Sequence, residues 1–228
     1  MPLRWKIALA LLPVLVYSSS GESSFRSVRR VIGNSAYTLE KSEFVIGLIT
    51  PLEYGITDEV TLFTHPLLHL LLTPNGWLRW KIYDDNFAFA LTTGYIETFL
   101  DPERLSFPGS VQTGGIFTIP FGNSVSLNFT GGYVLNVSPV SHNSNLSCGI
   151  NLLVTDSDLI SAQIHSIYSY SYGKFSTPLG ILSYTHAWDI IRLTLGAAFG
   201  NFPVYFGNSE ADLKELPVYP VVDLWWQF

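Results

Sequence analysis

The sequence predicts an all-β fold, an up-and-down antiparallel transmembrane β-barrel of about 12 strands, with about 10 as the alternative. Three observations predict it. Charged residues make up only 13% of the 228 residues while aromatics reach 14%; an average soluble domain is about a quarter charged. From about Glu43 onward, apolar and small polar residues alternate with a period of two, the period of a strand. Many of the alternating runs last about ten residues or more, the length a tilted strand needs to cross a bilayer. A secreted sandwich shares the period, but run length, scarce charge and aromatics on the apolar face favour the membrane.

Three regions are expected. Residues 1–21 read as a secretory signal peptide. Arg4 and Lys6 give a positive start, Ile7 to Tyr17 an apolar stretch, and Ser18, Ser19, Ser20 and Gly21 small residues for cleavage. Residues 22–42 form an N-terminal segment holding a short basic cluster, Arg26, Arg29 and Arg30, read as a solvated tail. Residues 43–228 form the barrel domain. No later window is long and apolar enough for a spanning helix.

Strands are expected near 44–56, 59–72, 76–83, 86–99, 111–121, 124–137, 145–155, 158–172, 176–187, 189–200 and 218–228. In 124–137, Val125, Leu127, Phe129, Tyr133, Leu135 and Val137 share one face, against Ser126, Asn128, Thr130 and Asn136. Ile191, Leu193, Leu195, Ala197 and Phe199 oppose Arg192, Thr194 and Gly196 in the same way. The weakest strand is 59–72, where Pro66 and Pro74 bracket a leucine run that suits either a bulged strand or a short helix. Polar turns separate many strands: Thr57-Asp58, Asp84-Asp85-Asn86, Gly122-Asn123, Thr155 to Asp158 and Trp188-Asp189. Connections at the other end look longer: 100–110, 139–145 and 202–217. Aromatics near strand ends, among them Tyr95, Phe121, Tyr170, Tyr172 and Trp188, are placed for interfacial girdles. The eleven strands are odd in number, and bacterial barrels are even, so parity asks for one more within 25–37.

The C-terminal stretch carries the sharpest signal. Val218, Pro220, Val222, Leu224, Trp226 and Phe228 alternate against Tyr219, Val221, Asp223, Trp225 and Gln227. This resembles the C-terminal strand of bacterial outer-membrane β-barrel proteins. The resemblance is close over roughly the last ten residues, with Pro220 departing from it, and elsewhere it is one of pattern only. It implies a porin-like barrel in the bacterial outer membrane, with outer-membrane lipid as its surroundings. It also implies that the barrel-assembly machinery reads Leu224, Trp226 and Phe228 as a signal.

Chemistry is sparse. The net charge of −6 gives no case for nucleic acid. Cys148 is the single cysteine, so neither a disulfide nor a thiolate metal cage is expected; it reads as a small outward hydrophobe. His65 and His69 have helical metal-pair spacing, but no glutamate follows His65, and local polar groups are the preferred reading. No cofactor motif occurs, and none is expected. The candidate lumen residues are Glu59, Arg79, Lys81, His165, Arg192 and Asp223. They either line a narrow pore or pair across a filled interior. Three functions stay open: a passive pore for small solutes or ions, a barrel enzyme acting on envelope lipid with His165 among serines, or a structural or adhesin-like barrel. For the last, loop 202–217 with Glu210, Asp212 and Glu215 is the contact candidate.

Overall fold

A strand with one greasy and one small polar face must hide the first from water and pair both of its edges. Closing the ribbon on itself does both. The computed structural model describes residues 25–70, 73–97, 109–137, 140–176, 178–200, 205–206, 209–210 and 218–228. Among them, twelve strands form the ring: β1 (Phe44–Gly47), β2 (Leu52–Thr57), β3 (Val60–Thr64), β4 (Asn75–Asp84), β5 (Ala88–Glu97) and β6 (Gly109–Phe121). They continue with β7 (Val125–Val137), β8 (Val140–Thr155), β9 (Asp158–Ser169), β10 (Leu179–Trp188), β11 (Ile191–Phe199) and β12 (Tyr219–Gln227). Every strand pairs antiparallel with its neighbours in sequence, and β12 returns to β1 through Val45↔Gln227, Ile46↔Trp226 and Gly47↔Trp225. Phe228 and Phe44 exchange both backbone bonds across this seam, at 2.8 and 3.1 Å, and their rings lie 6.2 Å apart. The expected up-and-down barrel is thus the observed fold.

Faces follow the sequence pattern. Leu91, Phe129, Leu146, Ile150, Ile164, Leu195 and Val222 are exposed on the outside, where lipid replaces water. Cys148 is exposed there too. Exposed aromatics form two belts: Tyr83, Phe121 and Trp188 at the short-turn end, and Tyr95, Tyr133, Tyr170 and Tyr172 at the other. Gly122 and Asp189 take positive φ in their hairpin turns, the conformation that tight two-residue reversals demand.

Three expectations need correction. The twelfth strand does not come from 25–37, which carries no strand. The expected strand 44–56 is instead broken into β1 and β2 at residues 48–51, where Pro51 withholds a ladder donor. The run 59–72 ends as strand at Thr64 and turns into the short helix α1 (Pro66–Leu70), because Pro66 pre-sets helical φ at its start. The expected loop 139–145 is mostly ladder, with Val140 already paired to Val137. The signal at 1–21 and Asp212 and Glu215 lie outside the described residues; Ser209–Glu210 pairs with Tyr205–Phe206 in a separate two-stranded ribbon.

The wall is uneven. β6 to β9 have 13, 13, 16 and 12 residues, whereas β1, β2 and β3 have 4, 6 and 5. At about 3.4 Å per residue, four residues extend about 14 Å along their own axis, before tilt shortens their reach. A barrel's apolar band is about 25 Å tall. Strands β1–β3 are therefore shorter than that band.

One inward contact gives a direct stability test. Trp77 lies flat over Gly94 of the paired strand, and a Cβ built there would stand 1.9 Å from the ring. Trp77 also stacks on Phe63 at 5.7 Å. Gly94→Val is expected to cost about 1–3 kcal/mol by forcing the indole off its rotamer. Urea titration of refolded barrel, read by tryptophan emission, checks this; an unchanged midpoint would refute the packing argument.

Candidate functional site

The inner faces of β3 to β12 carry Thr61, Arg79, Thr118, Ser126, Asn128, Asn151, Thr185, Arg192 and Asp223, all buried. Inner faces of a water-filled tube would be wet. Here Thr61, Arg79, Thr118, Asn151 and Arg192 meet residues 25–43, which run through the short-turn end of the lumen with one 3-10 turn at Val28–Arg30. The segment that carries the basic cluster is a plug, although Arg26 and Arg29 themselves stay exposed. Phe25, Val28 and Val31 pack on Leu153, Leu159 and Ala187; Ala36 and Tyr37 pack on Ala88, Ala90 and Ile116; Ile32 and Leu39 pack beside Val45.

A chain without a strand ladder must satisfy its backbone elsewhere. The wall supplies partners through its side chains. The Ala36 amide donates to Thr118 Oγ1 at 2.8 Å and the Leu39 amide to Thr61 Oγ1 at 2.9 Å. Arg79 donates to the carbonyls of Ile32 (2.9 Å), Tyr37 (3.0 Å) and Gly33 (3.1 Å). Asn151 donates to Asn34 at 3.0 Å.

The short turns hold the rest. The Phe25 amide donates to Asp156 O, the Val28 amide to Asn123 O, the Lys41 amide to Asp58 Oδ1, and Arg29 reaches Asp84 and Asp85 O. Arg30 pairs with Glu40 and Glu43 within and just below the plug. Burial pushes the Tyr37 phenol above its ordinary pKa; the Arg29 charge partly opposes this and Asp84 adds to it.

Of the residues expected in the lumen, Arg79, His165, Arg192 and Asp223 face inward. Arg192 is held between the rings of Trp225 (5.0 Å) and Phe25 (5.4 Å). Lys81 lies near the short-turn rim, 3.2 Å from Asp84. Glu59 is corrected: it sits exposed on the turn between β2 and β3, where its carboxylate accepts from Thr57. Asp223 accepts from the Ile49 amide at 2.9 Å, the Thr50 amide at 2.8 Å and the Thr50 hydroxyl. The inward charges do not form a ring around a channel. Arg79 and Asp223 fasten non-strand backbone.

Against the plug residues Phe25 and Val31 to Asn34 lies a chamber of about 570 Å³, with Glu53, Phe63, Arg79, His165 and Trp225 also in its lining. Ser147 stands opposite His165 in the ladder, and Ser161 and Gln163 share the chamber lining. Among the described residues no hydrogen bond joins His165 to a serine or a carboxylate. His69 Nε2 lies 2.7 Å from Thr64 Oγ1. Sequence reasoning missed the plug and Glu53, an inward carboxylate buried in β2. It also missed an outer-face cluster at the short-turn end, where Asp158 accepts from Tyr184 (2.5 Å) and contacts His186 Nδ1 (2.6 Å).

Ladder, faces and belts together define a class, the transmembrane β-barrel, here with its short-turn end filled by its own chain. No protein-family model matches the chain, and no curated protein matches it. Among solved structures it is similar to the outer-membrane expressed OmpT of Vibrio cholerae, at 9% identity and a TM-score of 0.45. The match covers 78% of this chain and 64% of that one, so the chain spans less than two thirds of that protein's length.

Proposed function

We propose that this chain is an outer-membrane barrel that passes small solutes or ions only when residues 25–43 give way, a gated pore and not a permanently open one. The observation that carries this reading is how the plug is held. It joins no ladder, and its tethers are hydroxyls, amides and guanidinium groups that water can replace one by one. Each neutral bond contributes about 1 kcal/mol net and each guanidinium bond about 1.5–3, so the rest state is closed while partial release stays within reach of thermal or ligand energy. Short turns are periplasmic in barrels of this kind, which puts the plug at the periplasmic exit and the chamber toward the outside. In the cell, the barrel-assembly machinery would engage β12 through its outward Leu224, Trp226 and Phe228, and outer-membrane lipid would surround the apolar belt.

The test is a reversible lock. Ala36→Cys with Thr118→Cys, in a Cys148→Ser background, places a thiol pair where the plug amide meets the wall. In planar bilayers the reduced barrel is expected to show discrete openings, and the oxidised one to stay silent. Equal conductance in the two states, or silence in both once the bridge is shown to have formed, would overturn the gate.

A further inference from the structure

We propose that the chamber binds a single-chain lipid with a diol head, of the monoacylglycerol kind, and that this lipid arrives sideways from the membrane over the low wall of β1–β3. The route needs no movement of the plug, so the inference goes beyond the gate and stands apart from it.

The wall provides the way in. Leu48 and Ile49, at the tip of the β1–β2 hairpin, are 66% and 50% exposed, an apolar lip at membrane depth. Irregular backbone survives at that depth only when its polar groups are paired internally. Here they are: Leu48 donates to Leu224 O at 3.1 Å, and Ile49 and Thr50 donate to Asp223. On β12, Phe228 and Leu224 turn their backbone groups toward β1, so alternation puts Val222 and Pro220 on the same edge. Beyond Leu224 that edge has no strand partner among the described residues. Pro220 stands on it, and proline has no N–H to leave unpaired. Pro220 thus removes one donor from the open edge where hydrocarbon would meet it.

The chamber provides the site. Thr50 and Pro51, on the inner side of the lip, also line the chamber, so one short segment borders both lipid and lumen. Its volume of about 570 Å³ falls within the range of small-ligand sites. Val45, Phe63 and Trp225 give it an apolar side for a chain. Two polar side chains in its lining give it a head site. Glu53, 6% exposed, has Oε2 without a hydrogen-bond partner, and Arg79, 4% exposed, has Nε without one. A buried orphan of either kind is costly. A carboxylate oxygen wants a donor and a guanidinium N–H wants an acceptor. Neighbouring hydroxyls supply both, whereas an ammonium head satisfies only the first and a carboxylate head only the second.

The experiment uses full-length barrel in phospholipid vesicles and two photoreactive monoacylglycerols. One carries its diazirine next to the head, the other at the chain end. Labelled peptides are mapped by mass spectrometry. The head-end probe is expected on Phe63 and Trp225, and the tail-end probe on the lip at 48–51. Excess unlabelled monoacylglycerol should reduce both at least tenfold. Thr130→Trp, which fills the chamber, should do the same; if that variant shows no heat-modifiable band, competition on the native chain decides. Labelling must persist in the oxidised Ala36→Cys/Thr118→Cys barrel, which separates this proposal from the gate. Head-end label confined to outer-face residues, tail-end label at the far rim on Tyr133 or Tyr170, labels that ignore competitor, or loss of label in the locked barrel would each overturn it.

Discussion

Asp223→Ala is expected to destabilise the barrel by about 3–5 kcal/mol, because it strips at least two backbone donors of their acceptor where no strand partner stands in for it. The carboxylate takes the amides of Ile49 and Thr50 and the Thr50 hydroxyl. No backbone replaces it, since β1 ends at Gly47 and β2 starts at Leu52. Gly47 permits the tight return: a Cβ there would stand 2.7 Å from Thr50 Cβ and 2.8 Å from Trp225 Cβ. Asp223→Asn keeps one acceptor oxygen and should lose about half as much. Urea titration in vesicles reads both. A shift below about 0.5 kcal/mol for the alanine variant, the level of an inert surface change, would show that the lip does not depend on Asp223.

The second large effect is expected from Arg79→Met. Methionine keeps the stem's packing but loses three charge-assisted bonds to plug carbonyls, each worth about 1.5–3 kcal/mol. It also leaves Glu53 without the positive field of Arg79. The plug should loosen before the barrel does, because the ladder between β3 and β4 is untouched. Limited trypsin digestion measures this at Arg29 and Arg30, which are engaged with Asp84, Glu40 and Glu43 when the plug is seated. Cleavage there should accelerate by about tenfold or more, since each 1.4 kcal/mol of lost closure is a factor of ten in open population. Conductance should rise in parallel. Full protection in Arg79→Met would mean that the apolar clusters alone hold the segment.

Alternation made the barrel legible, because period two survives wherever one side meets lipid and the other does not. Val125 to Val137 reads off as in-out without error. The β1–β2 break was harder, since 44–56 looks continuous when only hydropathy is followed. Pro51 was the available signal, being a residue that cannot donate inside a central strand. The plug had no periodic signal at all. Phe25, Val28, Val31, Ile32, Tyr37 and Leu39 are apolar, but their spacing matches neither a strand nor a helix, and their partners are scattered around the ring. The wall side was equally silent: Thr61, Thr118 and Asn151 are the small polar residues that an open lumen would also carry. Which of the two occupies such a lumen is decided by contacts between distant parts of the chain.

That plug has a consequence for how the barrel forms. The seam joins residues near 45 to residues near 227, a pairing with a heavy entropic penalty for a free chain. The stretch ahead of β1 touches the reversals at Asp58, Asp84-Asp85, Asn123 and Asp156, one from each of four hairpins. A leading segment that collects successive hairpins draws the two ends of the ribbon together before they meet. The N-terminal stretch would then serve during biogenesis as an internal scaffold, and weakening it should slow ring closure more than it weakens the finished ring.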